Sequence, residues 1–225
     1  MNMCFSAEAS FTAAVVLTAI GCITLKQASS QRLMMLASIP LIFGIQQFFE
    51  GVLWLYLRNG LYPTFGADFA KYYYLLIAFV VWPTWIPLSV FSAEGVIWRR
   101  RLQGFFLALG ILVSLTELIF LVLYPIIPMV EIHSIQYRFP AASLPHSINV
   151  NFYTYALFYA YAAAVLVPLY LSSIKNAFIL AVLTTITILI ANYFYVYAFT
   201  SVWCFFSAIV SLIIYKIIRD NRLAQ

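Results

Sequence analysis

Seven stretches of about twenty predominantly apolar residues run along the 225-residue chain, and that repetition decides what it can fold into. A helix needs about 20 apolar residues to cross a hydrocarbon core of roughly 30 Å. The stretches run from about Phe5 to Leu25, Leu33 to Leu57, Tyr72 to Ala93, Gln103 to Tyr124, Phe152 to Ser172, Ala177 to Ala198 and Ser201 to Ile218. Charged or helix-breaking residues divide them: Lys26 and Arg32, Arg58-Asn59-Gly60, Asp68 and Lys71, Arg99-Arg100-Arg101, and Pro125. Only a polar turn at Thr200 and Ser201 separates the last two. Composition removes the soluble alternative. Hydrophobic residues make up 65% of the chain and charged ones 8%, too few to coat a water-facing surface. The same figures exclude a disordered chain, collagen and a disulfide-rich secreted scaffold. The predicted fold is all-α: residues 1–225 form a single integral membrane domain of seven transmembrane helices.

The net charge of +5 does not indicate nucleic acid, because the 12 basic residues are scattered among loops and make no broad basic face. In a membrane protein they set orientation. With the N-terminus outside, inward segments hold Lys26, Arg32, Arg99, Arg100, Arg101, Lys175, Lys216, Arg219 and Arg222. Outward segments hold only Arg58, Lys71 and Arg138. The bias predicts an outside N-terminus and an inside C-terminus. No basic residue precedes the first span and Glu8 stands at its start, so it is expected to be retained rather than cleaved as a signal peptide.

One outward loop, Pro125 to Asn151, is out of proportion. It carries Pro125, Pro128, Pro140 and Pro145, which disfavour a helix interior, and His133, Tyr137, Phe139 and His146, including both histidines of the protein. Its aromatic content predicts a loop packed over the outer mouth of the bundle. Within the spans, Pro83 and Pro87 predict a kinked third helix, with Pro40 and Pro168 acting similarly, and Tyr72-Tyr73-Tyr74 reads as an interfacial aromatic belt.

Ionisable residues inside spans are costly and mark function by default. Glu8, Glu50 and Glu117 all fall in the outer half, Glu50 about 10 Å in from the end of the second helix at 1.5 Å per residue. Cys4 lies one turn before Glu8. Gln46 and Gln47 share helical spacing with Glu50, and Trp203-Cys204 opens the seventh helix. The expected outward pocket is lined by Gln46, Gln47, Trp54, Tyr137, His146 and Trp203.

Three segments carry a resemblance: Met3-Cys4-Phe5-Ser6-Ala7-Glu8-Ala9-Ser10-Phe11, Phe43-Gly44-Ile45-Gln46-Gln47-Phe48-Phe49-Glu50-Gly51-Val52-Leu53-Trp54, and Ser201-Val202-Trp203-Cys204-Phe205-Phe206-Ser207-Ala208. Trp82-Pro83 and His133-Ser134-Ile135-Gln136-Tyr137 fit the same pattern. Together they resemble a family of uncharacterised bacterial multi-pass membrane proteins, a domain of unknown function. The resemblance runs along the whole chain and implies seven helices in a bacterial cytoplasmic membrane. It singles out Cys4, Glu50, His133 and Cys204 and carries no activity.

Three functions from different classes stay open. In the first, Cys4, Glu50, His133 and Cys204 bind a zinc-type ion, which suits thiolate, imidazole and carboxylate, and Glu8 or Glu117 acts as general base in hydrolysis at the outer leaflet. In the second, the protein is a small-molecule or ion transporter or receptor using Glu50 in an outward-open pocket. In the third, Cys4 and Cys204 form a disulfide in a structural or redox partner protein. The disulfide and the metal site exclude each other. No GxSxG, HExxH, Walker loop or GxGxxG occurs, which argues against familiar hydrolase and nucleotide classes. The expected partners are the lipid bilayer and a small-molecule or lipid ligand, without nucleic acid.

Overall fold

A computed structural model describes residues 6–28, 30–131, 134–138, 150–195 and 198–222. Its helices are α1 Ala7–Gln27, α2 Gln31–Ala37, α3 Ile39–Arg58, α4 Phe65–Leu76, α5 Trp82–Ala93, α6 Ile97–Leu123, α7 Val150–Leu171, α8 Ala177–Phe194, α9 Phe199–Ser211 and α10 Ile213–Arg222. By length and composition six helical stretches among the described residues are able to cross a membrane: Ala7–Gln27, Gln31–Arg58, Phe65–Ala93, Ile97–Leu123, Ala177–Phe194 and Phe199–Asn221. The fifth predicted span corresponds to the 22-residue α7, of which Tyr155–Leu171 is an apolar stretch among the described residues.

Local chemistry explains several boundaries. The Ser6 side chain caps α1 by accepting from the Ala9 amide at 3.2 Å, and Thr64 caps α4 by accepting from Ala67 at 3.4 Å. The second predicted span is two helices. Ser38 joins α2 to α3 and turns its hydroxyl to the Met35 carbonyl at 2.7 Å, and Pro40 sits in the first turn of α3, where its missing N–H costs nothing.

The kink expected in the third span takes the form of a π-helical turn, Ile77–Val81, between α4 and α5. Pro83 supplies no N–H to the ladder behind it. Side chains from other helices fill the gap: Tyr161 of α7 donates to the Ala78 carbonyl at 2.6 Å, and Ser114 of α6 donates to Val80 at 2.7 Å. Small residues let neighbours close in. A Cβ on Gly44 would lie 2.5 Å from the Thr18 hydroxyl of α1, so only glycine permits the α1–α3 contact at this depth.

The all-α expectation is corrected by one small sheet. In the long loop, β1 Ile127–Glu131 pairs antiparallel with β2 Ser134–Arg138, in the register Ile127↔Arg138 through Glu131↔Ser134. Arg138 clamps Glu131 across the hairpin at 2.9 Å. Ile126 and Ile135 are fully buried, and the Lys71 ammonium donates to the Ile126 carbonyl at 3.0 Å. Lys71, read from sequence as a loop residue, is therefore a buried residue of α4, also paired with Asp68 at 2.7 Å. Its position ties the hairpin to the bundle.

At the other end, Glu94 closes α5. Only 1% exposed, it accepts from the amides of Val96 and Ser173 (both 2.9 Å), the Ser173 hydroxyl (2.6 Å) and the Gln103 amide (3.3 Å). One carboxylate thus joins the α5–α6 and α7–α8 connections.

Candidate functional site

The site is built on α3. Gln46, Gln47 and Glu50 are buried there, and Glu50 is only 2% exposed. One Glu50 oxygen accepts from the Ser201 hydroxyl of α9 at 2.5 Å, the other from the Gln47 amide at 3.0 Å. Gln46 bridges two further elements. Its amide nitrogen donates to Cys204 Sγ at 3.3 Å, and its oxygen accepts from Trp82 Nε1 at 2.8 Å. Tyr74 completes the cluster from α4: its hydroxyl donates to the Thr200 carbonyl at 3.3 Å and faces both Glu50 and Cys204. Among the described residues no Lys or Arg forms an ion pair with Glu50.

Tyr137 roofs this cluster from β2, its ring stacked on Tyr74 with centroids 5.4 Å apart. Burial, then the proximity of Glu50 and Cys204, pushes the Tyr137 phenol well above its usual pKa, which keeps it a hydrogen-bond donor. Its hydroxyl and the Gln47 carbonyl oxygen are buried without a hydrogen-bond partner among the described residues. A buried carboxylate surrounded by neutral donors, with spare polar atoms beside it, is chemically able to exchange a proton or hold a cation.

Below the cluster lies a largely apolar cavity of about 40 Å³, walled by Phe43, Trp82, Tyr161, Trp203, Cys204 and Ser207 among others. It shares Trp82 and Cys204 with the polar network, so the two form one continuous region of the bundle.

The other predicted site residues fall in different places. Glu8 does not approach Glu50; its side chain is 70% exposed and pairs with Arg58 at 2.8 Å. The first turn of α1 thus turns this carboxylate outward, because a cation at the end of α3 neutralises it there. Glu117 stands on α6 near Tyr161, without a hydrogen bond among the described residues. Trp54 is packed into the apolar cluster of Ala7, Leu53, Ala70, Ile135 and Val202, a structural position beside the site. Trp203 lines the cavity, its ring against Tyr161 and Phe199. Cys4, His133 and His146 lie outside the described residues. Among those described, no group of three or more His, Cys, Asp or Glu converges as a metal site. Cys204 carries no disulfide there.

Two members of the cluster escaped the sequence reading. Tyr74 was expected in an aromatic belt with Tyr72 and Tyr73; those two are exposed, but Tyr74 is fully buried. The available signal was Ala67, Ala70, Tyr74 and Ala78, a helical stripe of small residues around it, all buried. Ser201 was expected as a turn residue. It begins a second such stripe with Cys204, Ala208 and Ser211.

A family of unknown function (DUF6629) matches residues 3–225. The chain belongs to that family. No curated protein and no solved structure matches it.

Proposed function

We propose that this member of the family is a carrier or receptor of the bacterial cytoplasmic membrane. It binds a small molecule inside the bundle and uses Glu50 as its proton or cation exchange site. The single observation behind this reading is the Glu50 carboxylate, buried within a membrane-length helix and met, among the described residues, by neutral groups of α3, α4 and α9 with no basic partner. An ionisable group at that depth is expensive to keep and is a functional candidate by default. The π turn and two prolines beside the site provide the irregular backbone on which intramembrane binding sites are commonly built. The spans number seven in this reading, α7 included, with the N-terminus outside, the C-terminus inside and the hairpin on the outer face.

A zinc centre is the second reading, favoured by one observation: the Tyr74 hydroxyl faces both Glu50 and Cys204, so a carboxylate and a thiol share one neighbourhood. It requires Cys4 and His133 to join them, with Glu8 or Glu117 as base. Elemental analysis of protein purified without affinity-column metal separates the two. About one equivalent of zinc, lost in Cys204→Ser, selects the metal centre.

The carrier reading is tested by ligand-linked stability. Purified protein is heated at pH 8 in sodium, potassium or choline chloride at constant ionic strength. The wild type is expected to gain several degrees with one small cation relative to choline. Glu50→Gln abolishes the gain, and Glu8→Gln retains it. Identical melting of the wild type and Glu50→Gln in all three salts, at pH 5 as at pH 8, would make Glu50 structural.

A further inference from the structure

The cavity beneath Glu50 has two polar groups with nothing to bind. Trp203 Nε1 and Ser207 Oγ both belong to its wall, both atoms are buried, and neither has a hydrogen-bond partner among the described residues. They are four residues apart on α9, so they project from one face of the helix. The remaining polar groups of the wall are satisfied within the protein. Thr184 and Ser211 turn back to the carbonyls of Leu180 and Ala208, at 2.8 and 2.6 Å. Tyr161 donates to Ala78, Trp82 to Gln46, and Cys204 accepts from Gln46. Serine in a helix ordinarily satisfies itself on the carbonyl one turn back, as Ser211 does locally. Ser207 forgoes this. Orphaned donors inside a span are costly because no bulk water reaches them.

The chemistry of the pair restricts the ligand. The indole N–H is a donor only, and the hydroxyl donates one hydrogen and accepts as well. A carbonyl oxygen has two lone pairs and takes both donors at once. Around it the wall is aromatic and aliphatic, with no charged side chain to meet an ionic head group. At about 40 Å³ the space equals that of roughly three waters, enough for a carbonyl and the atoms beside it but not for a whole lipid. We infer that this cavity binds the carbonyl end of an apolar molecule, with Trp203 Nε1 and Ser207 Oγ donating to its oxygen. An ester lipid, a ketone and a quinone share that chemistry. The inference rests on the reading of the protein as a small-molecule binder and names the class of molecule.

The test compares two probes that differ only in the acceptor: decanophenone, an alkyl aryl ketone, and decylbenzene, its hydrocarbon counterpart. Binding to the purified wild-type chain in detergent is measured by calorimetry. The ketone is expected to bind about tenfold more tightly than the hydrocarbon, as one or two hydrogen bonds in a dry site would give. Trp203→Phe and Ser207→Ala should each reduce that preference several-fold and leave hydrocarbon binding unchanged. Ser207→Ala removes only the hydroxyl and favours the helix, so it carries the test even if the tryptophan variant fails to fold. Mass spectrometry of an organic extract of the purified protein distinguishes a retained ester lipid from a quinone or ketone. Equal affinity for the two probes, or a ketone preference untouched by both substitutions, overturns the inference and leaves the donors to water. Loss of the ketone preference with the cation-dependent melting intact refutes only this inference. The reverse result refutes the role of Glu50.

Discussion

Two glutamates are almost sealed from solvent and owe this to opposite surroundings. Glu50 accepts two hydrogen bonds beside polar atoms that lack a partner among the described residues, whereas Glu94 is saturated by four. Saturation makes Glu94 structural. Burial would raise its pKa, but the hydrogen bonds from Ser173, the Val96 amide and Gln103 outweigh that and hold it below the usual carboxylate range. A folded-state pKa below the unfolded value of about 4.3 contributes stability that is present above that value and lost as pH falls through the folded pKa. Thermal unfolding temperature is therefore expected to drop as pH is lowered from about 5 to 3. Glu94→Gln, which presents an amide to donors, should cost about 2 kcal/mol at pH 7 and flatten the acid limb. An unchanged acid limb in the variant would remove Glu94 from this role. Depth within an apolar run made Glu50 legible in the sequence. Glu94 was not legible, because it sits beside Gly95 in a connection, where an acid reads as solvated. Its partner Ser173 is 79 positions away. No local pattern encodes a bond of that range.

At the scale of elements, apolar run length located six membrane-length helical stretches and their order, because a bilayer-length helix needs a long uninterrupted run. Interruptions within spans were harder to place. Ser38 divides the second span through a backbone change that hydropathy does not register, and proline predicted a bend in the third without giving its π-helical form. The packing around that bend is tight. A Cβ on Gly110 of α6 would stand 1.9 Å from the Pro83 carbonyl oxygen, a backbone atom that cannot move aside. Gly110→Ala is expected to cost about 3 kcal/mol or prevent folding, at the upper end for overpacked sites. Gly104, two turns earlier on the same helix, meets only Phe91 at 3.6 Å, ordinary contact. Gly104→Ala should be neutral or stabilise by about 0.5 kcal/mol, since alanine is the better helix former. Matched expression and melting of the two variants would contradict this account of the α5–α6 contact.

Across the whole molecule the two ends of the bundle differ in charge. The three basic residues near the hairpin are each matched with an acid: Arg58 with Glu8, Lys71 with Asp68, and Arg138 with Glu131, at 2.8, 2.7 and 2.9 Å. At the other end stand Lys26, Arg32, Arg99, Arg100, Arg101, Lys175, Lys216, Arg219 and Arg222, against Glu94 and Asp220. Glu94 is occupied by neutral donors, and Asp220 binds Asn176 at 3.0 Å and lies 3.6 Å from Arg219. The count of basic residues predicts an orientation, and among the described residues this pairing leaves most cations of that end without an acidic partner, as anionic lipid on the inner side would require. The predicted orientation requires an odd number of spans, because a charge-balanced end at the N-terminus and a cationic end at the C-terminus would lie on opposite sides of the membrane. A reporter fused after residue 140 is therefore expected to be active on the outer side, and one fused at residue 225 on the cytoplasmic side. Signals from the same side would take one helix out of the membrane.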